Sequence, residues 1–167
     1  MVLTKSELVV SLRDEVRILL HLASKIDRTW LDYRPTSKQR STLELLRYLS
    51  VMGPELSKAA KAGAFDPAGW GSAVKAAETR DFDETLRVIA AQPEIYADVL
   101  GAIPDAEYRG EIQMFGHPTT RGAFIVKYVL GGHAAYRTQL FLYLKACGLD
   151  ELATSNLWSG VDPPAAV

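Results

Sequence analysis

Two ionisable side chains fall where the helical pattern of this sequence otherwise places apolar residues. Glu15 lies inside the apolar face of residues 8–26, and His133 lies inside the apolar segment 124–144. A carboxylate in such a face needs a partner or water, whereas an imidazole can act as a general base or polar anchor. We take His133 and Glu15 as the candidate catalytic residues. The simpler alternatives are a hydrogen-bonded core histidine and a glutamate that reaches solvent from the end of the face.

Other familiar catalytic arrangements are missing from the sequence. It contains no glycine-rich phosphate loop, no paired catalytic carboxylates and no Ser–His–Asp arrangement. Cys147 falls in the last turn of a predicted helix, where the helix dipole disfavours a thiolate, so we interpret it as an inert thiol. As the single cysteine, it also allows no disulfide within the chain. With no recognisable secretory signal, this predicts a cytoplasmic protein.

Composition predicts one globular domain over residues 1–167. The chain has 19 basic and 20 acidic residues and a net charge of -1, which argues against nucleic acid or an anionic membrane as a partner. The most apolar stretch, 124–144, is interrupted by charged and polar residues, and it is therefore not a predicted membrane span.

Four segments carry helical periodicity, and they predict an all-α four-helix bundle with long second and third connections. Capping boxes mark three helix starts, and the connections are 64–80, with a short helix near 72–78, and 104–119. Gly53-Pro54 and Pro93 predict kinks in the second and third helices. The four helices are predicted to begin at Thr4, Ser41, Asp81 and about Thr120, and the last to end at Cys147.

The fourth predicted helix is apolar nearly all round, which predicts burial on two sides. One side would face the bundle core. The second apolar side predicts a homodimer, because a lone bundle would leave it partly exposed. The alternative is that the 64–80 connection or the C-terminal tail covers it. The second face consists of Phe124, Tyr128, Ala135 and Leu142.

Two segments resemble the DinB/YfiT-like family, whose members include metal-dependent transferases and isomerases that use small thiols. Residues 34–49, RPTSKQRSTLELLRYL, resemble the family's entry into helix 2, and residues 133–148, HAAYRTQLFLYLKACG, resemble its last long helix. The resemblance implies a helical bundle, and in the family it implies one metal-binding histidine on helix 2 and two on the last helix. At those positions this chain has Tyr48, Gly132 and Tyr136, with His133 one residue out of register. It is similar to a degenerate member that lacks the histidine triad.

These residues predict a metal-free binding or interaction module with no cofactor. A phenol with a pKa near 10 is a poor metal ligand at neutral pH, whereas Gly132 would leave room for a ligand. The predicted pocket lies between the first, second and fourth helices, lined by Tyr48, Gly132, His133 and Tyr136. Alternatively, the two tyrosines simply fill the core at this level.

Two other functions stay open. One is a metal-dependent thiol transferase, isomerase or hydrolase that holds a divalent ion such as zinc or nickel with atypical ligands, for example His133 with Glu15. The other is a purely structural dimer. The sequence does not decide whether the protein is an enzyme, and it names no substrate.

Overall fold

The computed structural model describes residues 3–164 and shows long helices packed around a shared apolar core. The long N-terminal helices are α1, Lys5–Ala23, and α2, Thr42–Ala62. Shorter helices follow: α3, Pro67–Glu78; α4, Phe82–Ala90; and α5, Gln92–Gly101. The long C-terminal helix comprises α6, Arg121–Phe124, a π-helical segment, Ile125–Leu130, and α7, Gly131–Ala146; α8, Thr154–Trp158, comes last.

The predicted helix starts are confirmed. In α1, Thr4 and Glu7 form a reciprocal capping box, with the Thr4 amide donating to the Glu7 carboxylate at 2.7 Å. Ser41 begins α2 and Asp81 begins α4 in the same way. Each box satisfies two backbone donors that no helical carbonyl can reach, which explains why such short patterns locate the ends so well.

The two predicted proline kinks have different outcomes. The predicted third helix divides into α4 and α5 at Ala91, just before Pro93. Pro54, in contrast, lies inside α2, which continues unbroken from Thr42 to Ala62, so the kink there stays a prediction. Burial of α2 among its neighbours keeps it helical across the missing backbone donor.

Both long connections contain more structure than predicted. The first holds α3, which begins five residues earlier than expected because Asp66 caps it and Pro67 occupies its first turn. The second holds a 3-10 helix, Asp105–Arg109, and an antiparallel hairpin of β1, Glu111–Met114, and β2, His117–Thr120. The turn residues Phe115 and Gly116 have φ values of 52° and 80°, as a two-residue hairpin turn requires.

The hairpin covers part of the helix face for which we predicted a partner. Phe124 is fully buried, and both it and Tyr128 pack against Phe115 of the hairpin turn. Ala135 and Leu142 remain exposed, Leu142 at 57%. Phe115 belongs to the 104–119 connection, which we had not considered as cover, and Phe65 of the 64–80 connection packs against Phe115 in turn, with ring centroids 5.2 Å apart. The homodimer stays a prediction.

The core lies where α1, α2, α5 and α7 meet. Its fully buried side chains are aliphatic for the most part: Leu12, Leu19, Leu22, Leu45, Leu46, Leu49, Ile89, Leu100, Phe124, Ile125, Val129 and Leu140. Among the described helices, none is both long and apolar enough to cross a membrane.

Candidate functional site

A chain of buried polar groups crosses this core. His133 on α7 lies 2.6 Å from the Tyr96 hydroxyl on α5, measured from Nε2. Tyr96 donates to Gln92 Oε1 at 3.1 Å, and Gln92 Nε2 donates to the Leu49 carbonyl of α2 at 2.8 Å. Because Tyr96 has one proton and gives it to Gln92, His133 must donate from Nε2 to the Tyr96 oxygen. The Nδ1 atom of His133 is then an acceptor, and it has no partner among the described residues.

Burial keeps this chain uncharged. His133 is 1% exposed, and burial together with the nearby Arg137 guanidinium lowers its pKa to about 4. Burial also raises the pKa of Tyr96 well above its ordinary value. Both rings are therefore neutral at neutral pH, and His133 connects helices rather than facing solvent.

Gly53 on α2 makes room for this connection. A Cβ atom at position 53 would lie 1.8 Å from the Tyr96 hydroxyl and 2.7 Å from His133 Nε2. Since no side chain tolerates such distances, a glycine is required for α2 to pass this close. In the sequence, Gly53 was recognisable only as part of the predicted Gly53-Pro54 kink.

Glu15 is half of a buried ion pair. Arg137 on α7 donates from Nε to Glu15 Oε2 at 2.7 Å and from Nη2 to Oε1 at 3.0 Å. The Arg137 side chain is 3% exposed and that of Glu15 is 14% exposed. Arg137 also donates to the Leu157 carbonyl, which attaches α8 to the bundle. A bidentate pair between α1 and α7 accounts for a carboxylate in an apolar face without acid–base chemistry.

Tyr48 and Tyr136 pack against each other rather than around His133. Their ring centroids are 4.9 Å apart at 68°, an edge-to-face contact between α2 and α7. Burial, followed by the neighbouring Tyr136 hydroxyl, raises the pKa of Tyr48 to about 12. The two rings therefore contact each other, but both are half-buried and lie at the edge of the core rather than inside it.

The space that we expected beside Gly132 is occupied. A Cβ atom there would lie 3.0 Å from Cε and 3.1 Å from Sδ of Met52, which is 1% exposed. Gly132 therefore admits a methionine from α2, and this correction could not have been foreseen from α7 alone. Of the four predicted ligand-binding residues, Tyr48 lines a cleft.

At the positions where the sequence resemblance implies metal ligands, and beside them, the chain offers two phenols and one imidazole. The phenols of Tyr48 and Tyr136 are poor ligands at neutral pH, and His133 could offer only Nδ1, because Tyr96 engages its Nε2 atom. Within residues 3–164, no three His, Cys, Asp or Glu side chains lie close enough together to hold a metal ion. His117 is exposed on β2. His21 on α1 is covered by the C-terminal segment, with Nε2 3.1 Å from Asn156 Nδ2.

A cleft of about 520 Å³ lies between α2 and α3, within the usual size range of small-molecule sites. Tyr48 and Trp70 form aromatic walls, with ring centroids 6.2 Å apart at 69°. The Arg40 guanidinium lies over the Tyr48 ring, 4.0 Å from its centroid. The cleft is lined by Arg40, Glu44, Arg47, Tyr48, Val51, Trp70, Val74, Ala77 and Glu78.

Sequence reasoning identified only Tyr48 among these residues. Trp70 belongs to the part of α3 that lies before the short helix predicted near 72–78. The pattern Asp66-Pro67, an N-cap followed by proline in the first turn, was the signal that could have extended that helix back to Trp70.

Comparison with known proteins identifies a fold. A crystal structure of a DinB-like protein, YjoA, from Bacillus subtilis matches this chain with a TM-score of 0.67 and 18% identity, over 87% of this chain and 94% of that one. No protein-family model matches the sequence, and no curated protein is significantly similar to it. At this identity the likeness concerns the fold alone. The chain is a mostly helical protein with a DinB-like fold, as the sequence resemblance implied.

Proposed function

We propose that this chain is a metal-independent binding protein that holds a small organic molecule in the cleft between α2 and α3. The main support is that Tyr48 and Trp70 form aromatic walls of this cleft beside the Arg40 and Arg47 guanidinium groups. Apolar walls with a few convergent polar groups are typical of ligand sites. In this proposal Tyr48 contacts the ligand from the cleft between α2 and α3 and not from the predicted pocket between the first, second and fourth helices, and Tyr136 packs against the Tyr48 ring.

Under this proposal, His133 and Gly132 act in the core. His133 joins α7 to α5 through Tyr96, and Gly132 accepts the Met52 side chain. A general base at His133 would require a substrate inside the packed core. Its low exposure and its engaged Nε2 atom support a structural role instead.

A ligand screen tests the binding proposal. Purified protein is screened by thermal shift against a library of small organic acids, amines and neutral aromatics, and hits are measured by calorimetry. We expect binding that Trp70→Leu weakens at least tenfold, since that change removes one aromatic wall. Trp158→Leu is the matched control, because Trp158 is 67% exposed and packs against Arg137 instead. A library with no hits, or hits unaffected by Trp70→Leu, would contradict the proposal.

Elemental analysis tests the metal-independent part. We expect no stoichiometric divalent metal in protein purified without chelators. About one zinc, nickel or iron per chain, lost in His133→Ala, would favour the metal-dependent alternative and overturn this part of the proposal.

A further inference from the structure

We infer that the ligand of the α2–α3 cleft is an aromatic carboxylate: a flat ring system that carries one negative charge. This inference rests on the proposed function and adds the chemical class of the ligand. It follows from three properties of the cleft, namely its aromatic walls, its balance of charges and the position of Arg40.

The walls favour a flat ring. Tyr48 and Trp70 are both half-buried, so each ring presents part of its surface to the cleft. Phe65 packs behind Trp70 with centroids 5.7 Å apart, which holds the indole in place. Val51 and Ala77 are buried below and supply an apolar floor. A planar aromatic ligand could stack on one wall and meet the other edge-on, the arrangement that aromatic pairs prefer.

The charges favour an anion. Glu44 accepts from the Ser41 amide at 2.7 Å and pairs with Arg34 at 3.3 Å, so its negative charge is already compensated. Arg47 donates to the backbone carbonyl of Arg80. A carbonyl carries no net charge, so this contact does not neutralise the Arg47 guanidinium. Among the described residues, neither Arg47 nor Arg40 has a carboxylate within 4 Å.

Glu78 adds the second carboxylate of the lining. Because Arg34, outside the lining, neutralises Glu44, the charges left in the lining are Arg40, Arg47 and Glu78, a net of one positive charge for a ligand. A carboxylate suits this excess because the guanidinium fork can donate two parallel hydrogen bonds to it.

Arg40 is placed to distinguish ligands by charge. Its guanidinium occupies the face of Tyr48, so a cationic ligand would have to displace it or lie beside a like charge. The side chain is exposed at the rim, where it can turn its donors toward an anion while its planar group stays near the ring. An aliphatic acid would satisfy Arg40 but leave the aromatic walls without a stacking partner.

Three probes of related shape test the class of ligand. 2-Naphthoate carries a flat ring and a carboxylate, 2-naphthylmethylammonium keeps the ring and reverses the charge, and cyclohexanecarboxylate keeps the charge without an aromatic ring. Affinities are measured by calorimetry on the full chain at low and high salt. We expect 2-naphthoate to bind at least tenfold more tightly than either relative and to weaken as salt rises.

Variants then locate the binding. Arg40→Gln should weaken 2-naphthoate at least fivefold and narrow its advantage over the ammonium probe, because the charged donor is lost. Arg13→Gln is the matched control: Arg13 is exposed on α1, outside the cleft. Circular dichroism of each variant excludes misfolding as the cause.

The outcomes separate this inference from the proposed function. If the ammonium or the aliphatic probe binds as well as 2-naphthoate, or if Arg40→Gln has no effect, the ligand class is wrong while binding in the cleft can stand. If none of the three probes binds but the screen finds a neutral or cationic ligand sensitive to Trp70→Leu, the class is again wrong and the function holds. If nothing binds in either experiment, both fail.

Discussion

Replacing Gly53 with alanine should destabilise the protein, although it removes a glycine from the interior of a helix. In an unobstructed helix, this change would stabilise by about 1 kcal/mol. Here the new Cβ would lie 1.8 Å from the Tyr96 hydroxyl, which is fully buried and has nowhere to move. To relieve the overlap, Tyr96 must give up its bonds to His133 and Gln92.

The expected loss is about 3 kcal/mol. Each buried polar group left without a partner costs about 1–3 kcal/mol, and two bonds are disrupted. The helix-propensity gain offsets about 1 kcal/mol of that cost. The measurement is urea unfolding followed by circular dichroism, with the free energy extrapolated to water.

Gly71→Ala is the control for helix propensity. Gly71 lies in α3, and a Cβ there would meet nothing within 4 Å, so this variant should be as stable as the wild type or more stable. In the double variant Gly53→Ala/Tyr96→Phe the nearest clashing atom is gone. Its loss of unfolding free energy should therefore be at least 1 kcal/mol smaller than the sum of the losses in the two single variants. Stabilisation by Gly53→Ala, or strict additivity in the double variant, would refute the reasoning.

Three further predictions concern the core and the exposed helix face. Folding lowers the pKa of His133 from an ordinary value near 6.5 to about 4. Between these two pH values the folded state therefore binds fewer protons than the unfolded state. The free energy of unfolding should be highest above pH 6.5 and fall by about 3 kcal/mol as the pH drops to 4. His133→Gln should flatten that dependence in urea titrations, and an unchanged slope would assign the titration to another group. Arg137→Ala should lower the free energy of unfolding by about 3–5 kcal/mol, because it leaves the Glu15 carboxylate buried without its partner. The double variant Glu15→Leu/Arg137→Met should recover most of this loss. Thermal unfolding that ranks the double variant below Arg137→Ala would contradict the explanation. We also expect a homodimer in analytical ultracentrifugation that Leu142→Glu converts to a monomer, because Leu142 is 57% exposed on α7; a wild-type monomer at all micromolar concentrations would reject it.

The helix starts and the fold class were predictable from the sequence because their causes are local. Thr4 and Glu7 need only three intervening peptide units to satisfy each other, and the same holds for Ser41 with Glu44. The resemblance in residues 34–49 and 133–148 led to the same fold as the comparison with the YjoA structure. The hairpin was missed because its strands are only four residues long: β1 alternates in burial, but β2, His117–Thr120, contains a proline and does not alternate.

The candidate site shows the opposite dependence. From the sequence alone, Glu15 and His133 were recognisable as polar residues in apolar surroundings, and Tyr48 and Tyr136 as aromatic residues at positions of family ligands. Which of them meet was decided by the packing of α1, α2, α5 and α7. Arg137 is 122 positions from Glu15, and Tyr96 is 37 positions from His133. Periodicity assigns a residue to a face of its own helix, but it contains no information about which side chain a second helix brings opposite. The sequence by itself therefore determined where the helices begin and which residues face inward, and only the tertiary structure decided that His133 is held by Tyr96, that Met52 fills the space at Gly132 and that Tyr48 faces a cleft with Trp70.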